Sequence, residues 1–230
     1  IALKKGIRPE RPCGVASIAS QVGITCSPIA AAQIVAFHQS PSCYNGHTYD
    51  WSEIGSGKMP TTSLGQDMAA HLIRDIGELM QVRYETGRAW LINPMDIDYC
   101  WNGFNYSYTY GDYDYDNCVS SLKSGSPVLI TGVDSLHSSA HTWVIDGSMT
   151  RIAYDDILLA NGEIGTIIYA KTNLVHCNWG FYGKGDGYFI SGAFKPSNRH
   201  SKYIWDTDGT SNNSNSYTWH NKAYYCVHPN

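Results

Sequence analysis

Apolar positions divide the chain into two halves of different period. In the first half they recur at helical spacing. The run from Ile29 to Phe37 is almost all small and apolar, and it predicts a buried helix of about three turns. Cys26-Ser27-Pro28 opens that run, with Pro28 in the first turn, where a missing N–H costs nothing. Met68, Leu72, Ile76, Leu79 and Met80 predict a second helix, capped by Thr61 or Thr62 and reaching Val82. Shorter helices are predicted over Pro94 to Asn102 and over Asp116 to Lys123, the latter closed by Gly125. In the second half β-branched and aromatic residues dominate. Strands are expected at Val128–Thr131, Thr142–Asp146, Gly165–Thr172, Leu174–Trp179 and Gly187–Ser191, separated by turns containing glycine and asparagine.

The segments between these elements are less patterned. Ile1 to Gln21 reads as a basic, proline-punctuated loop leading into a short strand or a turn of helix. Gln39–Gly57 and Arg83–Leu91 read as loops, with Tyr49 and Trp51 docking on the core. The tyrosines at 106, 108, 110, 113 and 115 either line one strand face or form a binding surface. The tail from Pro196 to Asn230 is polar and then aromatic, and its pattern assigns it no role. Helices followed by antiparallel strands make an α+β layout in one catalytic domain over residues 1–230, with a site between the halves.

Composition narrows the partners. Charged residues are only 16% of the chain and aromatics 13%, which points to a surface of neutral hydrogen-bonding groups of the kind common outside the cell. A net charge of −4 without a basic run argues against nucleic acid or an anionic membrane as partner. No apolar run approaches the length of a membrane span, and the N-terminal residues do not read as a signal peptide. The seven cysteines contain no CxxC pair and no zinc spacing, so a structural metal is not expected, and an odd count leaves at least one free thiol; nucleophilic cysteine chemistry calls for no cofactor.

Two stretches carry candidate chemistry. A cysteine at a helix mouth has its thiolate stabilised by the unpaired N–H groups there, which makes Cys26 a candidate nucleophile; the other reading is a small apolar cysteine packed at a helix start. The stretch around His141 offers a base, because the histidine opens an apolar strand that anchors it while its ring faces a groove. Downstream, Asn178 is placed to fix the tautomer of His141, with Trp179 shielding that bond from water. If Asn178 faces the site, strand alternation turns Cys177 into packing. Gln21, five residues before Cys26, is either an oxyanion donor or a surface glutamine. His38 and His71 have no ligand set and read as ordinary histidines.

Taken together these stretches resemble the streptopain family of bacterial, papain-like cysteine peptidases. The resemblance is carried by Cys26 with Ala32-Gln33-Ile34, by His141 through Gly147, by Asn178-Trp179-Gly180 and by Asp186-Gly187-Tyr188-Phe189. Tyr49-Asp50-Trp51 and Pro127-Val128-Leu129 add further landmarks. Thr25 stands where the family has glycine and Phe181 where it has a second tryptophan. The resemblance implies a two-lobed fold, with a helical N-terminal lobe and an antiparallel β-sheet C-terminal lobe. It also implies a secreted or cell-envelope endopeptidase acting on protein or peptide substrates through a Cys26–His141 dyad and a thioester, with a hydrophobic residue preferred two positions before the scissile bond. Family members are made with a propeptide that blocks the groove, so the chain is expected to be a mature portion, with a propeptide or protein inhibitor as a further partner. Rival readings of the same residues are a catalytically silent binding module, and an acyl transferase or amidase using the same chemistry.

Overall fold

The computed structural model describes residues 2–3, 26–55, 60–85, 88–91, 93, 96–134, 140–181, 183–196 and 216–230. Of the predicted opening loop Ile1 to Gln21 they include Ala2 and Leu3 alone, which form a short strand; Cys13 and Gln21 lie outside them. The helices are α1 (Cys26–His38), α2 (Trp51–Ile54), α3 (Ser63–Leu79), α4 (Ile97–Gly103) and α5 (Tyr115–Lys123). The α1 run is buried along nearly its whole length, as its small apolar residues require. Thr62 caps α3, its Oγ1 accepting the Gly65 N–H at 3.0 Å. This helix ends at Leu79, short of the predicted Val82, because Gln81 turns into the left-handed region (φ 53°) and redirects the chain. Asp114 caps α5 through the N–H of Asn117.

Among the described residues seven antiparallel strands form the main sheet. They are β1 (Ala2–Leu3), β6 (Tyr106–Asp112), β7 (Val128–Asp134), β8 (Ala140–Leu158), β9 (Ile164–Asn178), β10 (Gly187–Ile190) and β11 (Tyr217–Pro229). The order is β10-β9-β8-β7-β11-β6, with β1 on the edge of β8. Two predicted strands, Gly165–Thr172 and Leu174–Trp179, are one continuous β9, because its register on β8 carries through Asn173. The expected loop at Arg83–Leu91 contains a hairpin of β4 (Arg83–Glu85) and β5 (Arg88–Trp90). The Gln39–Gly57 segment holds a second small hairpin, β2 (Cys43–Tyr44) with β3 (His47–Thr48), as well as α2. The tail that its pattern left without a role is β11, inserted between β7 and β6.

Alternation along the central strands sorts the core into two layers. Leu129, Val144 and Tyr224 face a cluster built with α1, α3 and α4. Their neighbours Val128, Ile130, Trp143 and Ile145 face a second cluster with Cys118 and Leu122 of α5 and with Cys177, Trp179 and Phe189. Tyr49 docks as expected, and the fully buried Asp75 of α3 holds it: Asp75 Oδ2 accepts from the Tyr49 hydroxyl and from His47 Nδ1 at 2.7 Å. Tyr106 is buried, and Tyr108 and Tyr110 pack beside Tyr224, so the tyrosines of β6 serve packing. Beyond the sheet the β8–β9 hairpin continues as an arm carrying exposed Leu158, Ile164, Ile168 and Tyr169. Among the described residues no helix is long and apolar enough to cross a membrane.

Candidate active site

Cys26 is the first residue of α1, in the turn whose backbone N–H groups have no partner within the helix. Two consecutive residues of β8 meet it. Thr142 shares a strand face with Val144, the face that packs on the α1 side, and its Oγ1 lies 2.8 Å from Ser27 Oγ. That contact ties the helix mouth to the strand. Thr142 also hydrogen-bonds Cys26 through its backbone and its side chain, and His141 hydrogen-bonds Cys26 through its ring.

These contacts decide the ionisation of the thiol. Burial works against a thiolate at Cys26, yet the charge of His141, the hydrogen bond to its ring and the two hydrogen bonds with Thr142 outweigh it. The net result is a pKa lowered to about 7. The fully buried thiols move the opposite way from the half-buried Cys26: burial pushes Cys100 and Cys118 up, and Cys177 well up. Cys177 does pack away from Asn178, inside the second cluster. All six described cysteines are free.

The ring of His141 is held from its far side by main chain. Nε2 lies 2.9 Å from the carbonyl oxygen of Trp179. A carbonyl can only accept, so Nε2 carries a proton and Nδ1 is the nitrogen left for the sulfur. Aromatic rings enclose the imidazole, with Phe181 nearly parallel at 4.8 Å, Tyr217 at 5.5 Å, Trp179 at 6.0 Å and Trp143 at 6.1 Å between centroids. Phe181, where the sequence departs from the expected tryptophan, is the nearest of these rings.

Asn178 does not make the expected bond to the ring. Its Oδ1 accepts the Gly180 N–H at 3.1 Å and Gln33 Nε2 at 3.3 Å. The expected Asn178–His141 hydrogen bond is therefore replaced by the Trp179 carbonyl, because the chain turns at Gly180 (φ 75°) and aims that carbonyl at the imidazole. The Trp179 ring flanks the imidazole, while its backbone makes the contact. Thr142 and Tyr217 were not singled out from sequence, and Gln33 entered only as part of the Ala32-Gln33-Ile34 motif, without a role of its own. Gln33 had a readable signal: it is the one polar residue in the apolar run from Ile29 to Phe37 and lies seven residues after Cys26, about two turns along the same helix face. Thr142 and Tyr217 had none, since their roles arise from strand pairing. Among the described residues no group of three or more His, Cys, Asp or Glu is placed to hold a metal ion.

A mixed α/β chain that couples a helix-mouth thiol to a strand-borne imidazole has the makings of a cysteine-type peptidase. The family model described as Peptidase C10 family matches residues 13–189, and the chain belongs to that streptopain-like family of cysteine peptidases. No curated protein matches the chain.

Proposed function

We propose that the chain is an endopeptidase of papain-like, two-lobed architecture that cleaves proteins through a Cys26–His141 dyad and a thioester. The observation that carries the reading is the placement of Cys26 at the mouth of α1 against His141 and Thr142 of β8, an arrangement that favours the thiolate against the effect of burial. A thiolate at Cys26 attacks the scissile carbonyl carbon. As the tetrahedral intermediate collapses, the C–N bond breaks and the His141 Nδ1 proton passes to the leaving amine. His141 then takes a proton from water, whose oxygen attacks the thioester carbonyl; the C–S bond breaks and releases the acid and the Cys26 thiolate beside the reprotonated His141. The Cys26 backbone N–H is the oxyanion donor at hand; Gln21 is the proposed second donor. Trp179 serves through its carbonyl and its flanking ring, and Asn178 serves through the backbone it holds. The low charge of the surface supports a secreted or cell-envelope location, and a propeptide or inhibitor segment would occupy the same groove.

The test is digestion of a peptide library and an unfolded protein by the wild type, Cys26→Ser and His141→Ala. Internal cleavage by the wild type alone is expected, with losses in kcat on the order of 10⁴-fold or more in both variants. Wild-type transfer of acyl groups to added amines in preference to hydrolysis would favour a transferase. Silence of the wild type on all substrates would favour a binding module.

A further inference from the structure

The loop joining β9 to β10 returns on itself through Gly180, Gly183 and Gly185, at φ 75°, 78° and 80°. These conformations suit glycine and strain residues with a Cβ. The return is closed by turn hydrogen bonds from the Lys184 N–H to the Phe181 carbonyl, 2.9 Å, and from the Asp186 N–H to the Gly183 carbonyl, 3.3 Å. It brings the side chain of Asp186, 3% exposed, against the backbone of Trp179, where Oδ1 accepts the Trp179 N–H at 2.9 Å. The carbonyl of that same residue is the acceptor for His141 Nε2, also at 2.9 Å. Across the next peptide, the Gly180 N–H is held by Asn178 Oδ1, and Asn178 is tied to Gln33 on the helix that begins with Cys26.

A carbonyl in a glycine-rich turn is poorly oriented by its own chain, since glycine allows the peptide plane to rotate. Here the N–H on each side of the Trp179 carbonyl is fixed by a side chain. The two anchors differ in origin: Asn178 refers the peptide to α1, and Asp186 refers it to the start of β10, whose register with β9 pairs Gly187 with Cys177. Burying a carboxyl group is unfavourable unless it is hydrogen-bonded, and that one of its bonds goes to the Trp179 N–H calls for a reason. Orientation of a catalytic ring supplies one, because a ring nitrogen displaced by a fraction of an ångström from the sulfur loses both the hydrogen bond and part of the charge interaction.

We infer that Asp186 is a positioning residue for catalysis, holding the Trp179 backbone so that its carbonyl fixes the orientation of His141 toward Cys26. The inference rests on the proposed Cys26–His141 chemistry and extends its support to a residue that touches neither group.

The test uses three variants on the full chain: Asp186→Ala and Asp186→Ser, which remove the acceptor or withdraw it from reach, and Asp186→Asn, which keeps an oxygen at the same reach. Each is read by kcat and KM on a peptide substrate and by the pH dependence of Cys26 alkylation, followed by peptide mapping; thermal denaturation establishes folding. Asp186→Ala and Asp186→Ser are expected to lower kcat about tenfold or more with KM within about twofold. They are also expected to raise the alkylation midpoint by about half a pH unit or more. Asp186→Asn is expected to recover kcat to within about threefold and to restore the midpoint. A loss of stability alone would leave the midpoint of the folded fraction unmoved. Folded Asp186→Ala or Asp186→Ser with wild-type kcat and midpoint overturns the inference. So does Asp186→Asn, if it is folded yet its kcat falls about tenfold or more below the wild type; this arm decides even if the Ala and Ser variants both fail to fold. Wild-type activity surviving in Cys26→Ser or His141→Ala would overturn the underlying dyad, a result distinct from any obtained at Asp186.

Discussion

At the scale of single residues, Cys26 is distinguished by its neighbours. Burial raises the pKa of a thiol wherever no positive partner faces it, as at Cys100, Cys118 and Cys177, and only the imidazole and the Thr142 hydrogen bonds reverse this at Cys26. Alkylation with limiting iodoacetamide, stepped from about pH 5 to about pH 9, is therefore expected to inactivate the enzyme with a rate that rises through a midpoint near 7. The sign follows from the acid: lowering its pKa leaves more thiolate at every pH below the ordinary thiol value. In His141→Ala the charge and one hydrogen bond are gone while burial stays, so the midpoint should move up. A label that falls first on another cysteine, or a midpoint unchanged in His141→Ala, would contradict the coupling. Thr142→Val should move the midpoint the same way by less, since it removes the hydroxyl and leaves the backbone contact.

At the scale of elements, α1 has a consequence at each end. Its first residue faces β8, and its last, His38, packs beside the ring of His228 on β11 at 5.4 Å, with Tyr106 at 5.9 Å. Burial, then the neighbouring His228 charge, lowers the His38 pKa to about 4, while a backbone hydrogen bond at Val227 opposes them. The unfolded chain binds this proton near the ordinary histidine value of about 6.5, the native chain only near 4. Between those values the unfolded state holds more protons, so the contribution of His38 is complete above about 6.5, falls as the pH drops and levels off below about 4. Urea unfolding midpoints at about pH 7, 5.5 and 4.5 should decline in the wild type and decline less steeply in His38→Gln. Equal slopes in the two proteins would remove His38 from the account of acid sensitivity.

At the scale of the whole molecule, the sheet is completed from the far end of the chain. The match to the family model ends at Phe189, yet β11 runs between β7 and β6 and carries Tyr217 to the imidazole. Gly132 marks how closely these strands approach: a Cβ there would run into the Asn221 side chain, 3.0 Å from the Trp143 ring and 3.2 Å from Tyr217 Cβ. Gly132→Ala is expected to cost about 1–3 kcal/mol, the usual range for overpacking. Because Trp143 and Tyr217 wall the imidazole, it should also lower kcat. Chemical denaturation together with steady-state kinetics checks both effects; a variant with wild-type stability and kcat would show that the wall adapts freely.

The order of elements and much of the chemistry were legible in the chain itself. Helical spacing with a threonine cap marked the start of α3, an unbroken small-residue run marked α1 as buried, and β-branched runs marked β7 and the start of β8, because these signals come from residues close in sequence. Other features were invisible for a physical reason. β11 breaks its alternation at His220 and Cys226, both at positive φ, so period-two reading fails on a strand whose place is set by two distant partners. Asn178 was legible as a residue near His141, but not what it bonds: Gly180 turns the peptide, and a backbone carbonyl takes the ring nitrogen that a side chain was expected to hold. Local sequence determined which residues carry the thiol, the imidazole and their polar neighbours. Only the pairing of α1 with β8 and β9, across more than a hundred residues of chain, decided which atom of each neighbour does the holding.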